Sequence, residues 1–509
     1  MYLTLIGLTH HNRVALRGTP RELVFTSSAG PILTTATLAA IVGPCMGLER
    51  LILPKAPPPE LRDDDPSPPA PDDWVDLTFA GHDRLKVLEL PATSRMAPLL
   101  PRILEHLLGL ASLRLDASWA AGPFNPAPMA DKLTHLTLAV QESNRCLPIL
   151  PGLPHLQHFT GIIDFREDDN KVPLAIWIRS SSLRVLRLQA THCDGFLIIP
   201  LTVVCPALEE LVLPECRVFA RLDLQCPQLS ALEGPAMPPE WYNLPNPAHL
   251  TRLVLHAGGD HTAAWLAAAP RLREYRSDAL CRAVSAALWA SSTLTRVHVR
   301  LDGGAFPLRL PPQLEHLEVV VIDYGAIRGR CDGHWEEDAD YDESENPAAG
   351  EAGELAVAGP GLRTLTIHSD SPGRRLVLNC PELEVLRLQM PSLRSFRLAE
   401  GTAPPPLHSL AIESTNPPLD LEAAPLLAFL ARHGAQLRQV ALPPLRSFRA
   451  WPQLAAALSG LPRLTDLRLP RRAGPLALTC PRLRVIVLTG QSGQVILHCP
   501  DLEDIRDER

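Results

Sequence analysis

The sequence is poor in aromatic residues and has no excess of basic charge. Aromatic side chains make up 5% of the 509 residues, whereas hydrophobic residues make up 46%. The apolar content is therefore mainly aliphatic, which favours a core of many similar small layers over one built on large rings. The formal net charge of −8 leaves no basic footprint of the kind that nonspecific nucleic-acid binding requires. We expect no nucleic-acid partner.

Long hydrophobic runs and paired cysteines are also missing. No apolar run reaches the roughly 18 to 20 residues of a membrane-spanning helix, and the first residues, MYLTLIGLTHHNR, lack the features of a signal peptide. None of the eleven cysteines stands in a CxxC pair. Free thiols in a reducing compartment fit this pattern better than a disulfide framework. The sequence predicts a cytoplasmic protein that does not contact a membrane.

Sequence signatures of catalysis are absent as well. The chain contains no phosphate-binding glycine loop, no serine elbow and no His-Glu metal helix. His155 and His158 form a lone HxxH pair on a predicted strand, which favours ordinary surface or core histidines. We expect no enzyme, no catalytic residue, no cofactor and no bound metal.

A hexamer, LxxLxL, is abundant instead. Clear copies begin at residues 48, 85, 110, 133, 183, 208, 250, 294, 314, 362, 383, 407, 437, 464 and 483, a truncated copy at 502, and weaker copies at 156, 229, 272 and 393. Alternation at the end of the hexamer predicts a short strand, and regular spacing predicts one parallel strand per repeat. An amphipathic helix is the alternative, but the last aliphatic residue lies off its stripe, and 53 prolines disfavour long helices.

Five copies carry the motif CPxLxx followed by Leu or Ile, at residues 205, 226, 380, 480 and 499. Short strand-like segments at 222, 376, 476 and 495 precede four of them. Proline disfavours helix in the residue before it, so the motif feeds an extended strand. Zinc binding by Cys205, Cys216, Cys226, Cys380, Cys480 and Cys499 is the alternative, but zinc ligands usually stand about two to four residues apart.

These motifs resemble the leucine-rich-repeat family, in particular its irregular, cysteine-containing branch found in F-box proteins, over nearly all of residues 30–509. The resemblance implies an α/β leucine-rich-repeat solenoid, or horseshoe. Its parallel β-sheet would form the concave face, with short helices or extended turns on the convex face. It also implies a non-catalytic scaffold that binds a protein partner on the sheet.

F-box members are substrate-recognition subunits of ubiquitin ligases, and the resemblance therefore also implies binding to a ligase adaptor. Residues 1–47 do not match an F-box, because TTATLAAIVGPCMGLERLIL already has the pattern of a repeat. A divergent start would hide one. A scaffold and a ligase subunit therefore both stay open.

Two insertions divide the repeats. We expect degenerate repeats in 1–53, a Pro/Asp-rich loop in 54–73, repeats in 74–330, an acidic disordered insertion in 331–354 and repeats in 355–509. The acidic insertion holds ten acidic residues and no Lys or Arg. It could act as a spacer or dock a basic partner. A calcium loop through Asp338, Asp340 and Asp342 is a further alternative, although Glu343 and Ala349 stand where such loops have Gly and Glu.

Helical composition predicts helices in 98–109, 260–269, 278–290 and 422–433, with Asp260 and Asp278 as N-caps. In an LxxLxL strand the leucines face the core, so the third, fifth and seventh residues face the opposite surface. Over residues 250–320 this rule predicts a partner-binding surface formed by Arg252, His256, Glu274, Arg276, Arg296, His298, Arg300, His316 and Glu318. Arginine suits bidentate contacts. An ordinary solvated sheet face is the alternative.

Overall fold

The computed structural model is an α/β protein with extensive parallel sheet and few helices. It divides into two compact units, Met1–Leu250 and Thr251–Arg509. It describes residues 2–5, 20–25, 34–53, 61–62, 73–91, 95–96, 98–116, 130–140, 147–164, 176–191, 199–213, 219–235, 237–256, 261–280, 288, 290–302, 308–322, 354–369, 374–390, 392–398, 405–413, 420–421, 423–442, 451–470, 476–489 and 495–508.

The first unit contains a parallel ladder of ten described strands, each paired with the next. With strands numbered in chain order, they are β1 (Tyr2–Leu5), β2 (Glu22–Phe25), β3 (Arg50–Ile52), β4 (Val87–Pro91), β5 (Ser112–Asp116), β6 (His135–Val140), β7 (His158–Asp164), β9 (Val185–Thr191), β11 (Glu210–Val212) and β13 (Ala231–Pro235). A second parallel sheet has the order β8 (Ile176–Arg179), β10 (Ile199–Val204), β12 (Phe219–Gln225).

The second unit contains a ladder of eleven described strands. They are β14 (Arg252–His256), β15 (Glu274–Leu280), β16 (Arg296–Asp302), β18 (His316–Ile322), β20 (Thr364–Ser369), β22 (Val385–Gln389), β24 (Ser409–Glu413), β26 (Gln439–Ala441), β27 (Asp466–Pro470), β29 (Val485–Thr489) and β31 (Asp504–Glu508). A second sheet contains β17 (Leu308–Arg309), β19 (Glu354–Ala358), β21 (Arg374–Asn379), β23 (Ser392–Leu398) and β25 (Asp420–Leu421), and β28 (Leu476–Leu478) pairs with β30 (Val495–Leu497).

The strands predicted from the hexamers are confirmed, and all but one join a ladder. The exception is the weak copy at 393, whose strand β23 lies in the second sheet. It begins ten residues after the copy at 383. A parallel neighbour in the same sheet requires a crossover of about a dozen residues or more. Ten residues are too few for a return to the ladder, so the chain after β22 enters the second sheet of the same repeat as β23.

The hexamer's aliphatic residues stack in register and form the core. Leu253, Tyr275, Val297 and Leu317 align on consecutive strands, and each is at most 3% exposed. The strand-like segments before the CP motifs are confirmed as β12, β21, β28 and β30. They provide a second apolar wall, since Leu222, Leu224, Leu376 and Leu378 are also buried.

The cysteines of the CP motifs join consecutive repeats. Three buried thiols donate to carbonyl oxygens 22 or 23 residues earlier in the chain: Cys226 to Val203 at 3.6 Å, Cys380 to Val357 at 3.7 Å and Cys480 to Leu458 at 3.6 Å. Each thiol therefore satisfies a backbone acceptor of the preceding repeat. The proline that follows carries no N–H that would need a partner at this turn.

The described α-helices are α1 (Thr35–Val42), α2 (Trp74–Phe79), α3 (Leu100–His106), α4 (Thr262–Ala268), α5 (Ala423–His433) and α6 (Trp451–Ser459). Helices predicted in 98–109, 260–269 and 422–433 are confirmed as α3, α4 and α5. The start of the helix predicted in 278–290 is wrong, because Asp278 belongs to β15. Leu288 and Ala290 are helical, and residues 281–287 and 289 lie outside the described residues. His261, and not Asp260, occupies the N-cap of α4. In the described part of the chain, no helix is long and apolar enough to span a membrane.

The two insertions lie mostly outside the described residues. Of the Pro/Asp-rich segment, Leu61 is described and is 1% exposed, so the segment reaches the core at this residue. The acidic insertion, with its calcium alternative, lies outside the described residues except for Glu354, which begins β19.

Candidate functional site

The register of the second unit arranges most of the predicted partner-binding surface, called the stripe from here on, in two rows across neighbouring strands. Arg252, Glu274, Arg296 and His316 align in one row on β14, β15, β16 and β18. Arg276, His298 and Glu318 align in the next row on β15, β16 and β18. Side chains in each row therefore stand about 4.8 Å apart along the sheet. The structure brings these predicted residues together on one sheet face.

Exposure differs along the stripe. Arg276 and Arg296 are exposed, whereas Arg252, Glu274, His298, Arg300, His316 and Glu318 are half-buried. All eight therefore reach solvent to some degree. The two exposed arginines lie on adjacent strands and offer the largest donor surface to a binding partner.

His256 is wrongly placed in the predicted surface, because it is only 6% exposed. The whole segment Leu253–His256 is buried in β14. The alternation rule assumes that one face of each strand meets solvent. At β14 both faces are covered, and the rule therefore fails for Val254 and His256.

Glu318 is the centre of a polar cluster that spans four strands. Its Oε2 lies 3.0 Å from His298 Nδ1 and its Oε1 lies 3.1 Å from His368 Nε2. The other ring nitrogen of His368 contacts Gln389 Oε1. Burial raises the pKa of Glu318, but the hydrogen bonds and positive charge of His298 and His368 outweigh this effect, so its pKa is lowered overall. The carboxylate is therefore ionised at neutral pH.

The second carboxylate of the stripe, that of Glu274, also has a cationic partner. Glu274 Oε1 lies 3.4 Å from Arg252 Nε. By contrast, no ion pair joins Arg276 or Arg296 to any residue that the structure describes. The stripe therefore combines two acidic groups that have cationic partners with two arginines that form no ion pair to a described carboxylate.

Three residues of this surface were missed by sequence reasoning. His368 and Gln389 complete the Glu318 cluster, and Arg387 is exposed on β22 beside Thr366 of β20. The same position rule, applied to the hexamers at 362 and 383, would have selected all three. The acidic insertion separates these two hexamers in sequence from the hexamer at 314.

A cavity in the first unit offers a different kind of site. It has a volume of about 320 Å³ and is lined mainly by leucines and prolines, with Arg179, Ser180 and Ser181 at its wall. The guanidinium of Arg179 lies 5.2 Å from the ring centroid of Trp177. Its lining residues place no base beside a nucleophile.

In the described part of the chain, no group of three or more His, Cys, Asp or Glu side chains could hold a metal ion. No protein-family model matches the chain, and no curated protein is similar to it in sequence.

Proposed function

We propose that this chain is a leucine-rich-repeat protein of the irregular, cysteine-containing branch and that it works as a non-catalytic scaffold. The solvent face of the second unit's ladder binds a partner protein. Its contact residues are Arg252, Glu274, Arg276, Arg296, His298, Arg300, His316 and Glu318. The observation that carries this proposal is the pair Arg276 and Arg296, exposed on adjacent strands without an ion pair to a described residue.

Energetics support a binding role for these two side chains. A surface arginine without a carboxylate partner contributes little to the stability of the fold. Its planar guanidinium is, however, well suited to bind carboxylates of another molecule. The ladder beneath them is rigid, because the hexamer residues on its other face are buried and in register. The arginines are therefore presented at defined spacing on a rigid surface.

The cysteines support a location in a reducing compartment. Cys205, Cys226, Cys380 and Cys480 are buried as free thiols. Buried thiols that act as hydrogen-bond donors need to stay reduced, and the cytosol keeps them so. We therefore place the scaffold in the cytoplasm.

Affinity capture with matched charge variants tests the proposal. The test variant carries Arg276→Glu and Arg296→Glu, and Arg300 is kept because it is half-buried. The control variant carries Arg463→Glu and Arg482→Glu, two exposed arginines that precede the first leucine of their hexamers. Both variants have the same net charge, so a nonspecific charge effect would be equal in the two.

A protein partner that binds the intact chain and the control variant, but not the folded test variant, would support the proposed surface. With the purified partner, amide hydrogen exchange should then slow in β15, β16 and β18. Equal capture by both variants would overturn the placement of the interface. Recovery of ligase subunits as the partner would identify the chain as the substrate-recognition subunit of a ubiquitin ligase.

A further inference from the structure

Three exposed arginines of the second unit share one sheet face and form no ion pair with a carboxylate that the structure describes. Arg276 lies on β15, Arg296 on β16 and Arg387 on β22. No ion pair joins any of the three to a residue that the structure describes. Arg276 and Arg387 also occupy the same row of the ladder, since register pairs connect them through His298, Glu318 and Thr366.

On strands β14 to β22, the two carboxylates of this face whose side chains the structure describes, Glu274 and Glu318, have cationic or hydrogen-bonding partners. Arg252 contacts Glu274 at 3.4 Å, and His298 and His368 contact Glu318 at 3.0 and 3.1 Å. Arg363 lies 3.8 Å from Glu384 at the start of β22. Among the described residues on strands β14 to β22, the unmatched charge of this face is therefore positive and is concentrated at two points, the Arg276–Arg296 pair and Arg387.

The distance between these two points follows from the strand order. Four strand intervals separate β15 from β22 in the ladder, which corresponds to about 19 Å at about 4.8 Å per strand. An extended peptide advances about 3.3 Å per residue. Two acidic residues about six positions apart in an extended peptide would therefore reach both points.

We infer that this face recognises an extended acidic peptide segment of the partner, which crosses the strands with carboxylates at the Arg276–Arg296 pair and at Arg387. The inference rests on the proposed function and specifies its ligand. Between the two ends, the peptide lies over His298, Glu318 and Thr366. Ionised Glu318 repels a carboxylate at the centre and favours neutral residues there.

The separation of the two positive points distinguishes a peptide from a nucleic acid. A nucleic-acid strand carries a charge at every nucleotide. Ionised Glu318 lies in the row between the arginines, so a uniformly charged backbone would meet repulsion there. A peptide with acidic ends and a neutral centre avoids it.

Fluorescence anisotropy with the full-length chain tests the inference. The probes are fluorescein-labelled peptides with a Glu-Glu pair at each end of a Gly-Ser spacer, made in a series of spacer lengths. A matched series carries Gln in place of every Glu. We expect the Glu peptides to bind more tightly than the Gln peptides, with the tightest binding at a spacer that separates the acidic ends by about six residues.

Charge reversal should weaken binding of the best Glu peptide by about tenfold or more, because each arginine contributes charge-assisted hydrogen bonds. This applies to the double variant Arg276→Glu with Arg296→Glu and, separately, to Arg387→Glu. The control variant Arg463→Glu with Arg482→Glu should bind as the intact chain does. Circular dichroism and thermal melting establish that each variant is folded.

Equal binding of Glu and Gln peptides, or an equal loss in the control variant, would overturn the inference. Tighter binding of single-stranded DNA than of the Glu peptides would also overturn it, in favour of a nucleic-acid ligand. If the peptides fail while a captured partner still depends on Arg276 and Arg296, the scaffold function stands and only the acidic ligand is wrong. If that partner binds both charge variants equally, the proposed surface itself is wrong.

Discussion

The imidazole rings of His135 and His158 stack on neighbouring strands of the first unit. Their centroids are 4.2 Å apart and their planes differ by 5°, because the two residues are register partners on β6 and β7. Burial lowers the pKa of His158, and the charges of His135 and Arg187 lower it further. The lowered pKa of His158 therefore favours its neutral state in the folded chain.

We predict that His158 destabilises the protein in mild acid. The folded pKa of His158 is below its unfolded value of about 6.5, so the unfolded chain binds protons more readily. Its contribution to stability is present above that value and is lost as the pH falls through the folded pKa. His158→Gln should therefore reduce the loss of stability between neutral and mildly acidic pH, measured as the shift in urea midpoint. Exposed His155→Gln, in the same repeat, should leave the shift unchanged. An identical shift in both variants would contradict the prediction.

The Glu318 cluster should stabilise the second unit at neutral pH. Glu318→Gln removes the charge that His298 and His368 contact. Because these groups are partly exposed, we expect a loss of at most about 1 kcal/mol in the free energy of unfolding. The lowered pKa of Glu318 means that its contribution is present above the unfolded pKa of about 4.3 and is lost as the pH falls through the folded value. The difference between intact chain and variant, measured by urea unfolding, should shrink in acid. Glu503→Gln, at a highly exposed site 3.7 Å from Arg484, is the control and should change little.

The hexamer core should tolerate truncation poorly. Leu253 is fully buried in β14, so Leu253→Ala removes apolar contacts and leaves a cavity. We expect a loss of about 2 to 5 kcal/mol in the free energy of unfolding. Val487→Ala, at a half-buried position of β29, should cost clearly less. Equal losses in denaturant titrations would mean that the stacked leucines do not dominate stability.

The CP-motif thiols should resist alkylation in the folded protein. Burial raises the pKa of Cys205, Cys380 and Cys480 to about 11 and that of Cys226 to about 12. At a pKa near 11, about one thiol in 10⁴ is ionised at neutral pH, and the thiolate is the reactive form. Cys499 is only half-buried and should react first with iodoacetamide, as read by peptide mass spectrometry. Rapid labelling of Cys480 in the folded chain would contradict this order, and labelling of all five in denaturant is the positive control.

Two glycines should respond oppositely to alanine. A Cβ at Gly361 would lie 2.0 Å from the carbonyl oxygen of Pro312, whereas nothing lies within 4 Å of a Cβ at Gly152. Gly361→Ala forces two neighbouring repeats apart and should cost at least about 1 to 3 kcal/mol. Gly152→Ala should be neutral or stabilising by up to about 1 kcal/mol, since it reduces the freedom of the unfolded chain. Thermal melting of the two variants tests the contrast, and similar destabilisation in both would argue against the close contact at Gly361.

Sequence alone was sufficient for the strands of the LxxLxL hexamers and for the leucines in them that enter the core. The LxxLxL pattern is local, and alternation along an extended chain decides which side chains share a face. The CP motif was equally informative, because the φ restriction of proline acts on adjacent residues. These local rules placed Leu253 in the core and Arg276, Arg296 and Glu318 on the opposite face.

Only the tertiary structure decided which strands are neighbours and how their side chains pair. His298, Glu318, His368 and Gln389 form one cluster although 91 positions separate the first from the last, and β18 pairs with β20 across the acidic insertion. Both faces of β14 are covered, so His256 is buried. The hexamer at 393 forms a strand of the second sheet instead of the ladder. Such contacts depend on the length and path of the connecting segments. A six-residue pattern contains no information about them.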